Sequence, residues 1–570
     1  MPEVQSPGFP HPVACFRHIH IDIIIDYMNI LKIHLSQVND YLRQHELIEL
    51  IFYALFFVAF TFMIKKTLNL FSDGPKIKAT LFRFLTDLPY FRDIKKRKII
   101  DAEMEIFKSI HGKTKNLGYQ TRMPKSSKSI DDVLKQADSY NSGSIVSWKD
   151  GRMSGTVYPF NEELNDLLIK IQKKYLWSNP LHVDAFPAVR RMEAEVVSMC
   201  IDLFHGDSEC CGTMTSGGTE SLLLACFAYR NRAYKLGIKN PEIVVPVSVH
   251  ASFDKAGMLM NVKIKKVPLD PVTFKVDLKA MSRAITRRTC LLVGSAPQFP
   301  QGIIDDIEGI AKLGESYGIP VHVDSCLGGF LLPFMDEAGY SLPPFDFRLP
   351  GVTSISCDTH KYGFAAKGTS VIMYRSKTLR GNQYFLVPDW TGGIYATPTL
   401  AGSRSGALIS ACWAALMYFG RDGYVKSAKR IISTARKIAE GVASIPGLRL
   451  LGAPQVSVIA FTSDIFDIYQ LSELLSHNSD GSPNWSLNAL QYPSSIHLCV
   501  TDVHTQPGVA QQFLDDLRNA AEHLIKEPKM KATGKAAIYG MCAQIPDRSL
   551  VATVVASFLD ACYATVGPSD

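Results

Sequence analysis

The chain has 570 residues, of which 46% are hydrophobic and 20% are charged, and this balance excludes a disordered or fibrous protein. Its net charge of +7 is small for this length, and it contains no zinc-finger, P-loop or aromatic RNA-binding motif, so we expect no nucleic-acid partner and no metal. The twelve cysteines form no C-x-x-C pair and no regular framework, which is typical of a reducing compartment.

Residues 47–64, LIELIFYALFFVAFTFMI, predict a single membrane-spanning helix. The segment carries one charge, Glu49, and would span about 27 Å as a helix, close to the hydrocarbon core of about 30 Å. A signal peptide is disfavoured because Lys65 and Lys66 stand where a cleavage site should be, and a buried core helix is the other alternative. Basic residues are more frequent after the segment than before it. The positive-inside rule therefore places the chain after residue 64 in the cytosol and residues 1–46 on the other side of the membrane.

The remainder predicts an α/β domain followed by a smaller domain. Residues 65–157 form a basic, irregular segment that leads to the main domain. In residues 158–424 short apolar runs alternate with longer amphipathic ones. Residues 425–570 predict a smaller α+β domain. A helix is predicted over 305–318, ending at a glycine. Because the apolar runs lack a polar face, they favour a mainly parallel sheet covered by helices. The strand-like runs are EIVVPV (242–247), CLLVGSA (290–296), IPVHVDS (319–325), GVTSISC (351–357) and TSVIMYR (369–375).

A stretch at 213–237, TMTSGGTESLLLACFAYRNRAYKLG, predicts an anion site at the start of a helix. Small hydroxyl and glycine residues would leave backbone N–H groups free there, and the helix dipole also favours an anion such as phosphate. The alternative is an ordinary glycine turn with a capping hydroxyl. The residues that would surround the anion are Ser216, Gly217, Gly218 and Thr219.

Polar side chains also follow or end three of the predicted strands. Asp324 ends a buried run, where a carboxylate needs a cationic partner unless it merely caps the next helix. His250 could stack on a flat ring, although a single histidine there is more often structural. Lys361, which follows His360, could form a Schiff base if it is partly withdrawn from water. Together with the anion site, these groups form a full complement for pyridoxal phosphate.

The order of TSGGTES, VHASFDKA, HVDSCLGG and DTHKYG resembles the pyridoxal-phosphate enzymes grouped with the amino-acid decarboxylases, which have the aspartate-aminotransferase fold, fold type I. Further stretches narrow the resemblance to the sphingosine-1-phosphate lyase family, and it runs from about residue 140 to 560. Ser325 and Cys357 depart from the alanine that relatives commonly carry. The narrowing stretches are WSNPLHVDAFPAVRRMEAEV (177–196), SAPQFPQGIIDDI (295–307), GVTSISCDTHKYGFAAKGTS (351–370), DWTGGIYATPTLAGSRSG (389–406) and AIYGMCAQIPDRSLV (537–551).

The resemblance implies a role for each residue of the cofactor site. Lys361 would bind the aldehyde of the cofactor covalently, Asp324 would hold the protonated ring nitrogen, and His250 would stack on the ring. The cofactor phosphate would be held by Gly217, Gly218, Thr219 and His360 beside Ser216, and by Ser403 of a neighbouring subunit.

On the substrate side, the resemblance gives Lys367 the task of binding the phosphate of the substrate, against the alternative of a lysine at the edge of a glycine turn. The proton acceptor stays open among Lys361, a cofactor-phosphate oxygen, Tyr158 and His182. The remaining substrate-side residues would be Tyr158 and His182, with Tyr395, Ser403 and Arg404 on a loop lent to the neighbouring subunit.

The implied reaction is a retro-aldol cleavage of the C2–C3 bond of a phosphorylated sphingoid base, yielding phosphoethanolamine and a long-chain aldehyde. The implied setting is a homodimer in the endoplasmic reticulum membrane, with a luminal N-terminus and a cytosolic catalytic domain. One alternative is a membrane-tethered amino-acid decarboxylase that uses the same cofactor. The other is a catalytically inactive relative that acts as a membrane scaffold.

Overall fold

The computed structural model describes residues 82–84, 86–112, 118–141, 146–159, 161–478, 480–528, 545 and 547–566. The predicted membrane segment 47–64 lies outside these residues. None of the helices within the described ranges is both long and apolar enough to cross a membrane. The chain divides into two compact units, one formed by residues 1–144 with 544–570 and the other by residues 145–543.

The helices and strands are numbered in chain order. The helices are α1 (Pro89–His111), α2 (Ile130–Asn141), α3 (Glu162–Tyr175), α4 (Pro187–Leu203), α5 (Gly218–Lys235), α6 (Ser252–Met260), α7 (Leu278–Ala284), α8 (Ile307–Tyr317), α9 (Lys377–Arg380), α10 (Gly406–Ala443), α11 (Ile468–Leu475), α12 (Val509–Lys526) and α13 (Arg548–Tyr563). The strands are β1 (Cys211–Thr215), β2 (Glu242–Pro246), β3 (Lys263–Val267), β4 (Thr289–Ser295), β5 (Val321–Ser325), β6 (Val352–Cys357), β7 (Ser370–Tyr374), β8 (Phe385–Trp390), β9 (Gly393–Thr397), β10 (Arg449–Leu450), β11 (Val458–Thr462), β12 (Asn488–Leu490) and β13 (Ser495–Cys499).

In the first unit, α1 packs against α13. Ile106, Val551 and Ala561 are buried, as expected for the apolar side of a helix pair. The guanidinium of Arg83 donates to the carboxylate of Asp547 at 3.0 Å, and this contact lowers the pKa of the Asp547 carboxyl to about 2. The start of α13 is therefore fixed by an ion pair in which the carboxylate is buried and the guanidinium is half exposed.

The second unit is built on a seven-stranded sheet in the order β1-β7-β6-β5-β4-β2-β3. Neighbouring strands from β6 to β3 are parallel, while β7 runs antiparallel to both β6 and β1. Almost every residue of the central strands is buried, because the sheet is covered on both faces. The prediction of a mainly parallel sheet is confirmed.

A second, four-stranded sheet follows in the order β10-β11-β13-β12, with antiparallel neighbours. Helix α11 packs against β13, and α12 packs against α11. Helix α10 also contacts β10 and β11. The smaller C-terminal domain is thus present. Helix α10 contains a non-helical residue, Gly420 (φ 56°, ψ −178°), and the boundary predicted between 424 and 425 falls inside this helix. The domain boundaries stay a prediction.

The carboxyl end of the large sheet brings the predicted site segments together. Because β1 and β6 both run antiparallel to β7, they point the same way, and β2 and β5 are parallel to β6. The glycine turn follows β1, His250 follows β2 and Lys361 follows β6, while Asp324 is near the end of β5 itself. In open α/β sheets this edge is where ligands bind.

Candidate active site

The glycine turn between β1 and α5 has a backbone that only glycine fits. Gly217 adopts φ 151° and ψ 169°, a conformation that L-residues rarely take. A Cβ on Gly218 would lie 2.7 Å from Oδ2 of Asp358 and 2.9 Å from Sγ of Cys326. The first N–H groups of α5 lack partners within the helix, so the turn offers donors and a positive dipole end to an anion.

Ser216 is held by a carboxylate that the sequence did not single out, Glu220. The backbone N–H and the hydroxyl of Ser216 both donate to Oε2 of Glu220 at 2.7 Å. The backbone N–H of Leu400 donates to Oε1 of the same carboxylate at 3.1 Å. Glu220 therefore fixes the glycine turn to the loop that carries Ser403 and Arg404. An acidic residue in the first turn of an otherwise apolar helix was the signal for it.

His250 is linked to the anion site through Ser252, another residue missed from sequence. The backbone N–H of Ser252 donates to Nδ1 of His250 at 3.2 Å. The hydroxyl of Ser252 donates to Oγ1 of Thr219 at 3.1 Å. Since Nδ1 accepts a hydrogen bond, a neutral His250 ring carries its proton on Nε2. The structure thus brings the predicted stacking ring and the predicted phosphate hydroxyl together.

Asp324 lies buried at the end of β5, where its Oδ1 accepts from the backbone N–H of Cys326 at 3.1 Å. Two residues earlier, His322 is fully buried between the hydroxyls of Ser354 (2.8 Å) and Ser356 (3.2 Å). Burial lowers the pKa of His322 to about 4. The carboxylate of Asp324 is therefore the charged group that this strand brings to the site.

Lys361 lies beside a buried carboxylate, that of Asp358, which begins the stretch DTHKYG and had no predicted role. Its Nζ is 3.0 Å from Oδ2 of Asp358, and Nε2 of His360 is 3.7 Å from the same oxygen. Burial opposes the charge on Lys361, but the carboxylate outweighs it and raises the pKa of the amine above its ordinary value. Burial lowers the pKa of His360. The ring of His360 also lies against Gly217, so the lysine and the anion site are neighbours.

Lys367 and Tyr158 contact each other, as expected for two residues of one pocket wall. Nζ of Lys367 lies 4.7 Å from the centre of the Tyr158 ring and donates to the carbonyl of His360 at 3.3 Å. Partial burial and the charge of Lys361 lower the pKa of Lys367, whereas burial raises the pKa of Tyr158. Lys367 is thus close enough to Lys361 for the two positive charges to repel each other.

The residue after the lysine, Tyr362, is tied to the smaller sheet. Its hydroxyl lies 2.6 Å from Oγ of Ser457 and 2.7 Å from the carbonyl of Val500. Its ring meets the Tyr158 ring edge-on at 4.9 Å. Nothing in the local sequence signals these contacts, because every partner lies at least 95 residues away in the chain.

In the described part of the chain, the predicted residues Ser403 and Arg404 bond to Asn179 and Glu193 rather than to Lys361. Nη2 of Arg404 donates to Glu193 at 2.9 Å, and the amide of Asn179 donates to Ser403 at 3.0 Å. Oδ1 of Asn179 also accepts from the backbone N–H of Arg404. His182 is exposed on the turn that follows Asn179.

Tyr395 lies on a hairpin formed by β8 and β9, with its ring beside Trp390 and its hydroxyl against Gly402. Most of the hairpin is exposed, and within the described ranges the contacts of Tyr395 are with Phe385, Trp390 and Gly402. Within the described ranges, no three His, Cys, Asp or Glu side chains cluster as metal ligands would.

The donor set fits a cofactor with a phosphate, an aldehyde and a ring nitrogen. The glycine turn and His360 could hold the phosphate, Lys361 could supply the amine for the aldehyde, and Asp324 could supply the carboxylate for the ring nitrogen. One buried oxygen, Oδ1 of Asp358, has no hydrogen-bond partner. A buried polar atom without a partner is costly and is a common feature of ligand sites.

Comparison with known proteins agrees with this geometry. Residues 113–463 match the pyridoxal-dependent decarboxylase conserved domain. The chain is 48% identical over 499 residues to a sphingosine-1-phosphate lyase of Drosophila melanogaster, covering 87% of this chain and 90% of that protein. It is 43% identical over 497 residues to the sphingosine-1-phosphate lyase of Saccharomyces cerevisiae, covering 86% and 83%.

Solved structures give the same result. The sphingosine-1-phosphate lyase Bpss2021 of Burkholderia pseudomallei is 41% identical and superposes with a TM-score of 0.69, over 73% of this chain and 95% of that one. A glutamate decarboxylase of Lactobacillus brevis shares the fold at 21% identity, with a TM-score of 0.61 over 73% and 96%. The chain therefore belongs to the sphingosine-1-phosphate lyase family of pyridoxal-phosphate-dependent lyases.

Proposed function

We propose that this protein cleaves the C2–C3 bond of a phosphorylated long-chain base and releases phosphoethanolamine and a long-chain aldehyde. The observation that carries the proposal is the position of Lys361. Its amine pairs with the carboxylate that packs against Gly218, and Lys367 is close enough to feel its charge. The reaction requires an amine to bind the cofactor, which Lys361 would supply, and a cation to bind the phosphate of the substrate, which Lys367 would supply. An amino-acid decarboxylase would have little use for the second.

When bound, pyridoxal phosphate supplies a ring that accepts the electron pair left at C2 as the C2–C3 bond breaks. Asp324 would keep a proton on the ring nitrogen, and His250, oriented by Ser252, would lie against the ring. The 3-hydroxyl loses its proton and becomes the aldehyde oxygen, and C2 gains a proton, so the protons balance.

The burial of Tyr158 helps to identify the group that takes the proton of the 3-hydroxyl. Burial raises the pKa of Tyr158, so this hydroxyl keeps its proton at neutral pH and suits a donor rather than a base. Lys361, His182 and a cofactor-phosphate oxygen stay as candidate acceptors. We favour a role for Tyr158 in orienting the substrate oxygen beside Lys367.

The direct test supplies the purified protein with matched phosphorylated and unphosphorylated sphingoid bases and measures long-chain aldehyde. Release from the phosphorylated base alone supports the proposal. Release of carbon dioxide from amino acids, with no aldehyde, would support the decarboxylase instead. Protein that holds no pyridoxal phosphate and releases neither would point to an inactive scaffold.

Replacing Lys367 with alanine is expected to raise KM for the phosphorylated base about ten- to hundredfold, the range of one lost charge-assisted hydrogen bond. Steady-state kinetics with the wild-type chain alongside would measure it. Lys367→Arg keeps the charge and should recover most of the affinity. Lys426→Ala removes an exposed lysine that pairs with Asp422 and should change nothing. An unchanged KM in Lys367→Ala would leave this lysine without a role in substrate binding.

We further propose a homodimer in which the loop with Tyr395, Ser403 and Arg404 completes the site of the partner. The supporting observation is the apolar surface of the β8–β9 hairpin, since isolated chains seldom expose large apolar side chains together. The exposed residues are Phe385 (52%), Leu386 (63%), Trp390 (54%) and Ile394 (85%).

We also propose that residues 47–64 anchor the protein in the endoplasmic reticulum membrane with the catalytic part in the cytosol. A membrane-bound site shortens the route of a substrate whose alkyl chain partitions into the bilayer. Removing residues 1–64 should give an enzyme that still releases aldehyde but no longer sediments with membranes. Its mass in solution would also test the dimer. Membrane sedimentation of the truncated protein equal to that of the full chain would contradict this anchor.

A further inference from the structure

Asp358 is a buried carboxylate at the centre of the candidate site. It is 2% exposed and lies between β6 and Lys361. Its Oδ2 is 3.0 Å from Nζ of Lys361 and 3.7 Å from Nε2 of His360. Both oxygens lie so close to Gly218 that a Cβ there would come within 2.8 Å of them. The carboxylate therefore touches the lysine, the histidine and the glycine turn at once.

The hydrogen bonding of Asp358 differs from that of a carboxylate buried for structure alone. Its Oδ1 is buried without a hydrogen-bond partner among the residues that the structure describes. By contrast, Asp346 is fully buried and both of its oxygens accept from the guanidinium of Arg348, at 2.8 and 2.9 Å. An unsatisfied buried oxygen costs about 1–3 kcal/mol. We interpret this cost as the consequence of placing the Asp358 carboxylate beside the amine of Lys361.

Most other titratable groups around Lys361 are neutral at neutral pH. Burial raises the pKa of Tyr158, Cys326 and Cys499 and lowers that of His360. The remaining charged groups are the carboxylate of Asp324, which accepts from the backbone N–H of Cys326, and the ammonium of Lys367, which repels the Lys361 charge. The described contacts thus place the Asp358 carboxylate as the anion at hydrogen-bond distance from Nζ.

We propose that Asp358 is a positioning residue for the reaction: its carboxylate orients the Lys361 side chain toward the glycine turn and keeps a proton on Nζ. This inference rests on the proposed function in one respect, that Lys361 is the residue that binds the cofactor aldehyde. It goes beyond that function because it assigns the protonation of Nζ to a neighbour three residues earlier in the chain.

The proposal has a consequence that a purely structural role lacks. A negative charge at 3.0 Å stabilises a positive nitrogen, so removing the charge should let Nζ lose its proton at a lower pH. The nitrogen in its covalent link to pyridoxal phosphate is part of the group that absorbs visible light. The pH at which the visible spectrum of the holoenzyme changes therefore reports on this proton without any turnover.

The experiment compares the holoenzyme with its Asp358→Asn variant by recording visible spectra across pH. The spectral midpoint of the variant is expected to fall by about one to three pH units. Asp358→Glu keeps the charge and should restore part of the shift. Asp346→Asn is the matched control, since it removes another buried, paired carboxylate. It should lower the thermal unfolding midpoint and leave the spectral midpoint in place.

An unchanged midpoint in Asp358→Asn would overturn the proposal, as would an equal shift in Asp346→Asn. If the purified variant holds no cofactor, the same titration is carried out with added pyridoxal phosphate. Borohydride reduction followed by peptide mapping locates the cofactor lysine independently. Cofactor attached elsewhere than Lys361 would refute the proposed function, whereas cofactor on Lys361 with an unshifted midpoint would refute only the role of Asp358.

Discussion

Replacing Lys361 with alanine is expected to abolish aldehyde release, with a loss of more than about a thousandfold, because the amine that forms the covalent link is gone. The structure adds an effect on stability. The variant leaves the buried Asp358 carboxylate without its cation, and breaking one side of a buried pair costs about 3–5 kcal/mol. The unfolding midpoint should therefore fall although the fold is kept.

A double variant separates the two effects. Asp358→Asn in the Lys361→Ala background removes the stranded charge, so it should recover much of the lost thermal stability and none of the activity. Circular dichroism follows unfolding, and aldehyde release from the phosphorylated base follows activity. Measurable turnover by Lys361→Ala would refute the assignment of this lysine. A double variant no more stable than the single one would show that the charge of Asp358 is not the cause of the instability.

The second large effect expected is a steep loss of stability below neutral pH. His322, His497 and His504 are each no more than 1% exposed, and burial lowers the pKa of each to about 4. An unfolded histidine titrates near 6.5, so these neutral rings stabilise the fold fully above that pH. The contribution is lost as the pH falls from about 6.5 to 4, because the unfolded chain then binds three protons that the folded chain excludes.

One buried carboxyl acts in the opposite direction. Burial raises the pKa of Asp305 to about 7, so between about 4 and 6.5 the folded chain holds one proton that the unfolded chain has lost. The net difference is two protons, which corresponds to about 2.7 kcal/mol of unfolding free energy per pH unit. Because an unfolded histidine is only half protonated at pH 6.5, lowering the pH from 6.5 to 5 should remove about 3 kcal/mol, a large part of the stability of a typical domain.

Thermal unfolding midpoints at several pH values, recorded at one scan rate, would measure this loss. His322→Gln is the informative variant, because its amide can still bond to the hydroxyls of Ser354 and Ser356 but does not titrate. Its midpoint should depend less steeply on pH than that of the wild type. Equal midpoints at pH 7 and pH 5 in the wild-type chain would contradict the prediction.

The sheet could be predicted from sequence because its strands are buried on both faces. The run predicted at 290–296 is observed as Thr289–Ser295, and the helix predicted at 305–318 is observed as Ile307–Tyr317 with Gly318 in the left-handed conformation after it. Strand β3 was missed because it lies at the edge of the sheet and two of its three lysines, Lys263 and Lys266, are exposed. Strand β1 was missed because its residues are small and polar although they are buried.

The candidate site was predicted in part for a related reason. The residues proposed to act through their own chemistry, such as Lys361 and Asp324, stand at or just after strand ends, where pattern and position both point to them. Residues that act through a neighbour gave weaker signals. Ser252 becomes informative only when the fold places it between His250 and Thr219, and Asp358 only when its Oδ2 meets Nζ of Lys361.

The tie between Tyr362 and the smaller sheet limits how Lys361 can move. Because the hydroxyl of Tyr362 is fixed by Ser457 and Val500, the backbone next to Lys361 is held in place and cannot follow the side chain. Any displacement of the amine must then come from rotation about the four side-chain bonds of the lysine. The amine can therefore move only as far as the side chain of Lys361 reaches. Any position from which Nζ returns a proton to the substrate must lie within that reach.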